Sequence, residues 1–300
     1  MAERILIISG ATASGKSDLA LRLAEKRDIA IINGDSLQIY EGLPILSSQP
    51  SPEDQKKVKH FLYSHFKPQE ISSVATWLKL VKSAVEEALK MQKLPVIVGG
   101  SGMYLSKLVE GISEIPEIDE IVRVEARRLY DEIGQDEFRK KIMAEGASDK
   151  QRLIRAYEVL KQTGKPISYW QSQKPKKIFE QANFTHINLN CDRQKLYENC
   201  NLRFEKMLKL GVEEEVRSLM VRGVTDDQQI TKTLGFYEIR DFILGKISRQ
   251  KMEEIAKQKT RNYAKRQLTW FRHQLPQKLV FTSSAEAFEQ VLAHASTSSA

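Results

Sequence analysis

Short apolar runs recur at residues 4–9, 29–32, 94–98 and 184–189, and the stretches between them place hydrophobic residues at helical spacing. Leu19, Ala20, Leu23 and Ala24 mark one such helix over 17–25, and a second is read over 74–91. Apolar runs that do not alternate are buried on both faces, and runs separated by helices imply parallel strands covered on both sides. The pattern therefore predicts an α/β fold with a parallel sheet core flanked by helices. After Ile115-Pro116 it changes to a charged, helix-favouring stretch over 119–143, with Val122, Ala126, Leu129 and Ile133 on one face, followed by a helix over 153–160 and a basic turn over 174–177. This predicts a helical insertion domain over 116–178 within a core built from 1–115 and 179–300. Helices are expected over 193–210, 212–221, 234–244 and 248–274, then a last strand over 278–282 and a frayed tail over 296–300. No internal repeat is visible.

Composition narrows the class. With 41% hydrophobic and 29% charged residues in 300, a disordered or low-complexity chain is excluded. No apolar run approaches the roughly 20 residues of a membrane span, and Met1-Ala2-Glu3-Arg4 opens no signal-peptide core, so no membrane partner and a cytoplasmic location are expected. Cys191 and Cys200, without a CxxC spacing or clustered histidines, are read as inert thiols. The charge is uneven: residues 246–278 hold ten Lys and Arg against Glu253 and Glu254, which leaves 37 charges of each sign elsewhere and accounts for the whole +8. Such a stretch is a polyanion footprint or a solvated basic helix. Lys257, Arg261 and Lys265 recur every four residues, which sets them on one helical face able to follow phosphates. Tyr263, Trp270 and Phe271 are interleaved, as stacking platforms or as core.

Gly10, Ala11, Thr12, Ala13, Ser14, Gly15, Lys16 and Ser17 fit GxxxxGK[ST] between a predicted strand and a predicted helix. In that setting the glycines let successive N–H groups turn inward, Lys16 adds a point charge and the Ser17 hydroxyl can ligate Mg²⁺, so the loop should hold a di- or triphosphate. The core is thus expected to be P-loop NTPase-like. A strand ending in an acid, the usual second metal-holding signature, is missing where expected: 94–98 runs into Gly99-Gly100-Ser101-Gly102. The acid that does follow a strand is Asp35, after 29–32, where it reads equally as a base beside the phosphate loop and as a turn residue of Asn33-Gly34-Asp35-Ser36.

Five segments together carry a family resemblance: GATASGKS at 10–17, DSLQIY at 35–40, VGGSGMY at 98–104, QRLIRA at 151–156 and KRQLTWFR at 265–272. In them the chain resembles the tRNA dimethylallyltransferases, also called tRNA isopentenyltransferases or the IPP transferase family. The resemblance implies transfer of a dimethylallyl group from dimethylallyl diphosphate to the N6 amine of the adenine 3′ to the anticodon, position 37, giving N6-isopentenyladenosine. Mg²⁺ is implied as cofactor, and a monomer acting on a tRNA anticodon stem-loop is expected. By the same resemblance Asp35 is the general base, Thr12 and Arg203 assist the leaving diphosphate, and Gly10 through Ser17 bind it. tRNA contacts are implied for Asp35, Ser36, Leu37 and Gln38, for Gln151, Arg152, Leu153, Ile154 and Arg155, and for Lys265, Arg266, Gln267 and Arg272. The chain departs from the family's usual pattern at Gln49, Asn199 and Tyr237. The rival readings are an ATP-dependent P-loop small-molecule kinase and a non-catalytic RNA-binding protein; the missing acid disfavours the first.

Overall fold

The computed structural model describes residues 3–142, 149–275 and 278–296. Strand β1 (Arg4–Gly10) leads to α1 (Lys16–Ala24), β2 (Ile29–Asn33), α2 (Pro52–Lys57), β3 (Lys59–Phe61), α3 (Val74–Lys90), β4 (Leu94–Gly99) and α4 (Gly102–Glu110). Helices α5 (Glu120–Ile142), α6 (Lys150–Thr163) and α7 (Ile167–Gln171) follow. Then come β5 (Asn183–Leu189), α8 (Arg193–Lys209), α9 (Val212–Val221), a 3-10 turn (Gln229–Lys232), α10 (Phe236–Ile243), α11 (Arg249–His273), β6 (Leu279–Phe281) and α12 (Ser284–Ser296). The tail expected to fray lies, beyond Ser296, outside the described residues, as does Met143.

All six strands are parallel, in the order β3-β2-β4-β1-β5-β6, so β1 is central, with Ile7 beside Ile97 on one side and His186 on the other. Leu6, Ile8, Ile31, Val96, Val98 and Ile187 turn to one face and pack on Leu19 and Leu23 of α1 and Phe288 of α12. On β1 and β5, Ser9 donates to Ile187 O (3.2 Å), meets His186 Nε2 at 2.7 Å and accepts from Asn188 Nδ2 at 2.9 Å, a buried polar cluster one residue before Gly10. Burial pulls His186 down to about 4, so its ring is neutral.

The sequence pattern missed β3, α2, α4, α7 and α12. Strand β3 is a three-residue sheet edge with one charged, exposed position, too short for any periodicity to register. The helix expected over 119–143 is broken at Gly134, where φ is 74°.

Two compact units divide the chain, Met1–Val109 with Ile178–Ala300, and Glu110–Lys177. The second has its own core, in which Phe138 packs among Tyr130 (5.2 Å between ring centres), Tyr157 (5.4 Å), Leu153 and Ile154. Among the described residues no helix is long and apolar enough to cross a membrane.

Candidate active site

The phosphate loop leaves the C-terminal end of the central strand. Gly10 sits at φ 149°, and a Cβ there would lie 2.6 Å from Leu189 O, so β5 closes against a position only glycine fits. Ala13 (φ 63°) and Gly15 (φ 91°) complete the turn. Gly15 caps α1 without a side-chain hydrogen bond, leaving the first N–H groups of the helix free of any side-chain acceptor. Ser14 Oγ is buried and has no hydrogen-bond partner among the described residues. Lys16 folds back to donate from Nζ to Ala11 O at 2.7 Å. Burial pulls its pKa down to about 8, with Asp35 raising it and Arg203 lowering it. An uncapped helix start beside a lysine is suited to an anion. Ser17, in the first turn of α1, is exposed and lines a smaller cavity of about 90 Å³ with Gln49 and Asp54.

Asp35 is fixed by its backbone. Its N–H donates to Asn33 Oδ1 (2.8 Å), and Asn33 Nδ2 donates to Asp35 O and to Leu62 O, both at 3.0 Å. Asn33 O in turn accepts from the indole N–H of fully buried Trp77 at 2.9 Å. One carboxylate oxygen accepts the Leu37 N–H at 3.0 Å; the other accepts nothing among the described residues. Asp35 is therefore a turn former through one oxygen and open to the site through the other, so the two sequence readings are compatible.

Thr12, Asp35 and Arg203 line a cavity of about 240 Å³ together with the apolar Leu46, Phe204 and Met207 and the cations Lys232 and Arg266. Arg203 comes from α8, whose start is capped by Asp192 accepting the Gln194 and Lys195 N–H groups. Asn199 of the same helix donates to Ala13 O at 3.3 Å and ties it to the phosphate loop. The Arg203 guanidinium has no hydrogen bond or ion pair among the described residues, and burial lowers its pKa while the Asp35 charge raises it. An unneutralised, partly desolvated guanidinium facing a polar cavity is a costly arrangement unless an anion completes it.

Helix α11 seals the other flank. Gln267 is buried; its Oε1 accepts the Thr12 N–H at 2.8 Å and its Nε2 donates to Gly100 O at 2.9 Å. A Cβ at Gly100 would lie 2.5 Å from Gln267 Nε2, and one at Gly102 would lie 2.2 Å from the Trp270 ring. The glycines of the loop after β4 are thus the seats of Gln267 and Trp270. Ser36 N–H donates to Ser101 Oγ (3.0 Å), Leu37 lines the cavity, and Gln38 spends its amide nitrogen on Ser47 O (2.8 Å) and Ser48 O (3.0 Å).

The basic face of α11 differs from its linear reading. Lys257 pairs with Glu205 at 2.7 Å and Arg261 donates to Asn201 Oδ1 at 2.7 Å, both on α8, so neither is free to follow an RNA backbone as the four-residue spacing suggested. Lys265, Arg266 and Arg272 are exposed and without an acidic partner among the described residues. Phe271 is core, and Trp270 is half-buried over Gly102. In the second unit, Gln151 and Arg152 are exposed, Arg152 pairing with Asp149 at 3.2 Å, while Arg155 meets Glu158 at 3.1 Å. Leu153 and Ile154 are buried in that unit's core, so their side chains offer no surface to a ligand.

Sequence reasoning missed Tyr263 as part of the cavity wall and Gln267 as an inward residue. The available signal was periodic: Thr260, Ala264, Gln267 and Phe271 share the buried face of α11, and a glutamine on such a face needs partners.

A family model described as IPP transferase matches residues 38–274. A tRNA dimethylallyltransferase of Rhodospirillum centenum is 39% identical over 281 residues, covering 90% of this chain and 89% of that one. One of Ehrlichia chaffeensis is 37% identical over 295 residues, covering 96% of each. The crystal structure of the full-length tRNA isopentenylpyrophosphate transferase from Bacillus halodurans is similar with a TM-score of 0.70 at 28% identity, over 97% of this chain and 96% of that chain. With the family pattern spanning most of its length and relatives this similar from end to end, the chain belongs to the IPP transferase family.

Proposed function

We propose that this chain is a tRNA dimethylallyltransferase: it transfers the dimethylallyl group of dimethylallyl diphosphate to N6 of adenine 37 in a tRNA anticodon loop, as a cytoplasmic monomer. The observation that carries the reading is one cavity lined by the open carboxylate of Asp35, the unpaired guanidinium of Arg203 and Thr12 of the phosphate loop. In the reaction a bond forms between N6 and the allylic carbon, the carbon–oxygen bond to the diphosphate breaks, and one N6 proton leaves. An adenine amine is a weak nucleophile because its lone pair is delocalised into the ring, so Asp35 accepts that proton as general base. Charge builds on the departing bridging oxygen. Lys16, the Thr12 hydroxyl, the uncapped N–H groups at the start of α1 and Arg203 stabilise it more in the transition state than in the ground state. The apolar residues of the cavity wall, Leu46, Phe204 and Met207, suit the hydrocarbon and keep water from the allylic centre.

Ser17 stands exposed in the first turn of α1, at the end of the phosphate loop, and its hydroxyl has no hydrogen bond among the described residues. That fits Mg²⁺, which keeps most of its waters and takes few protein ligands when phosphates supply the rest. Ser17 would hold it, and the ion would supply charge neutralisation to the diphosphate. Lys265, Arg266 and Arg272 are the phosphate-facing side chains on α11, joined by Ser36 and Gln38 beside Asp35. Gln151, Arg152 and Arg155 are the RNA-facing residues of the second unit. An unpaired loop base costs only about a few kcal/mol to turn out of its stack, which suits an anticodon loop.

Asp35→Ala is expected to cut the single-turnover rate of prenyl transfer by ~10²–10⁴-fold with little change in RNA affinity. Labelled dimethylallyl diphosphate and an anticodon stem-loop RNA provide the assay. A near wild-type rate would remove Asp35 from the role of base, and phosphate transfer from labelled ATP would favour a kinase instead.

A further inference from the structure

Three segments far apart in the chain meet at one side chain. Gln267 of α11 takes the N–H of Thr12 in the phosphate loop and gives its own N–H to Gly100 in the loop after β4. Both ends of the amide are used, the residue is buried, and Gly100 has no room for a Cβ because the amide lies there. Trp270, one helical turn on, rests on Gly102 in the same way. Glutamine has the length to span both loops and, unlike any charged residue, can accept at one end and donate at the other. The contact is therefore specific to this side chain rather than to its bulk.

Its location on the helix matters as much as its partners. Lys265 and Arg266, the two residues before Gln267 in the chain, are exposed and without acidic partners among the described residues, and Arg266 also lines the cavity. One helical segment thus presents cations outward and grips the phosphate loop inward. We propose that Gln267 is a positioning residue: it holds Thr12, and with it the leaving-group site, in register with the RNA-facing end of α11, so that RNA and diphosphate affinities are coupled through it. The proposal rests on the prenyl-transfer reading above. Coupling of this kind is reciprocal, so each ligand raises the affinity of the other by the same factor.

The test uses Gln267→Met, which keeps the length and apolar volume of the side chain and removes both hydrogen bonds, and Gly100→Ala, whose methyl displaces the amide from outside. Inorganic diphosphate is titrated calorimetrically with and without saturating anticodon stem-loop RNA, and single-turnover prenyl transfer is followed in parallel. In the wild type, RNA is expected to tighten diphosphate binding about tenfold. In both variants that factor falls to about one and the KM for the prenyl donor rises, while RNA affinity and its salt dependence stay as in the wild type. Gln267→Asn, too short to reach both loops, should behave like Gln267→Met. A wild type that transfers prenyl groups but shows no coupling overturns the inference alone, as do variants that retain the tenfold factor. Variants with a reduced salt dependence of RNA binding would make Gln267 an RNA contact and overturn it too. A wild type that transfers no prenyl group is the separate failure of the functional reading.

Discussion

The two sets of cations proposed to meet phosphate stand in opposite solvent surroundings. Lys16 in the phosphate loop and Arg203 at the cavity are half-buried, with pKa values lowered by burial and no acid closing an ion pair on either among the described residues. Lys265 and Arg272 stand in water on the last part of α11, while Arg266, also exposed, reaches the cavity wall between the two sets. Desolvated charge is expensive before the ligand arrives and strong once it has, because few waters remain to screen it. Exposed charge costs nothing to maintain, and its pull fades with salt. The inner set therefore suits discrimination between ground and transition state, and the outer set suits capture of a large polyanion.

The sharpest way to break that division is Arg203→Met. Loss of a preorganised donor at a developing oxyanion is expected to slow single-turnover transfer by ~10²–10³-fold. RNA affinity and its salt dependence should be unchanged. A variant that lost RNA binding instead would move Arg203 into the outer set.

Lys16 sharpens the contrast through pH. Its pKa is lowered from 10.5 to about 8, so in the free protein the ammonium is half deprotonated at that pH, whereas an exposed lysine reaches the same point about two units higher. Phosphoryl groups have their second pKa at about 6, so they are almost fully ionised before this window and add little titration of their own. The donor's diphosphate should bind with constant affinity below pH 8 and lose up to tenfold per pH unit above it, because the anion prefers the charged lysine. RNA binding through Lys265 and Arg266 should be flat over the same range. Donor affinity measured by calorimetry from pH 7 to 9.5 decides the matter; a flat profile would show that the Lys16 charge is not felt at the diphosphate.

The same contrast shows what a chain pattern can and cannot reveal. Strand β1, the phosphate loop and α1 were legible because each rests on adjacent residues: an apolar run, two glycines in fixed spacing and a helical period. Asp35 was legible as the acid after β2, but its division of labour between oxygens was not, since that depends on Asn33 and Leu37 in three dimensions. The roles of Gly100 and Gly102 were invisible because the groups that require them, Gln267 and Trp270, lie more than 160 residues away in the chain. The charge count over 246–278 could not show which of its cations are paired, for a related reason. Arg249, Lys257 and Lys259 are answered by Glu213, Glu205 and Glu238, acids contributed by α9, α8 and α10 that no window along α11 contains.

The smallest effects separate the two parts of α11 most cleanly, because they set paired lysine against unpaired lysine on one helix. Lys265→Ala removes one phosphate contact, so the slope of log affinity against log salt should fall by about 0.7–0.9, with a few-fold loss at moderate salt. Lys257→Ala should leave that slope unchanged. Lys257 already holds Glu205 at 2.7 Å with only 19% of its side chain exposed, and losing the pair should cost at most about 1 kcal/mol of stability. Fluorescence anisotropy of a labelled stem-loop over a potassium chloride series, with thermal melts of both variants, measures each quantity independently. Equal slopes for the two variants would mean that the α8–α11 ion pairs open on RNA, and the linear charge count would then describe the complex better than it describes the free protein.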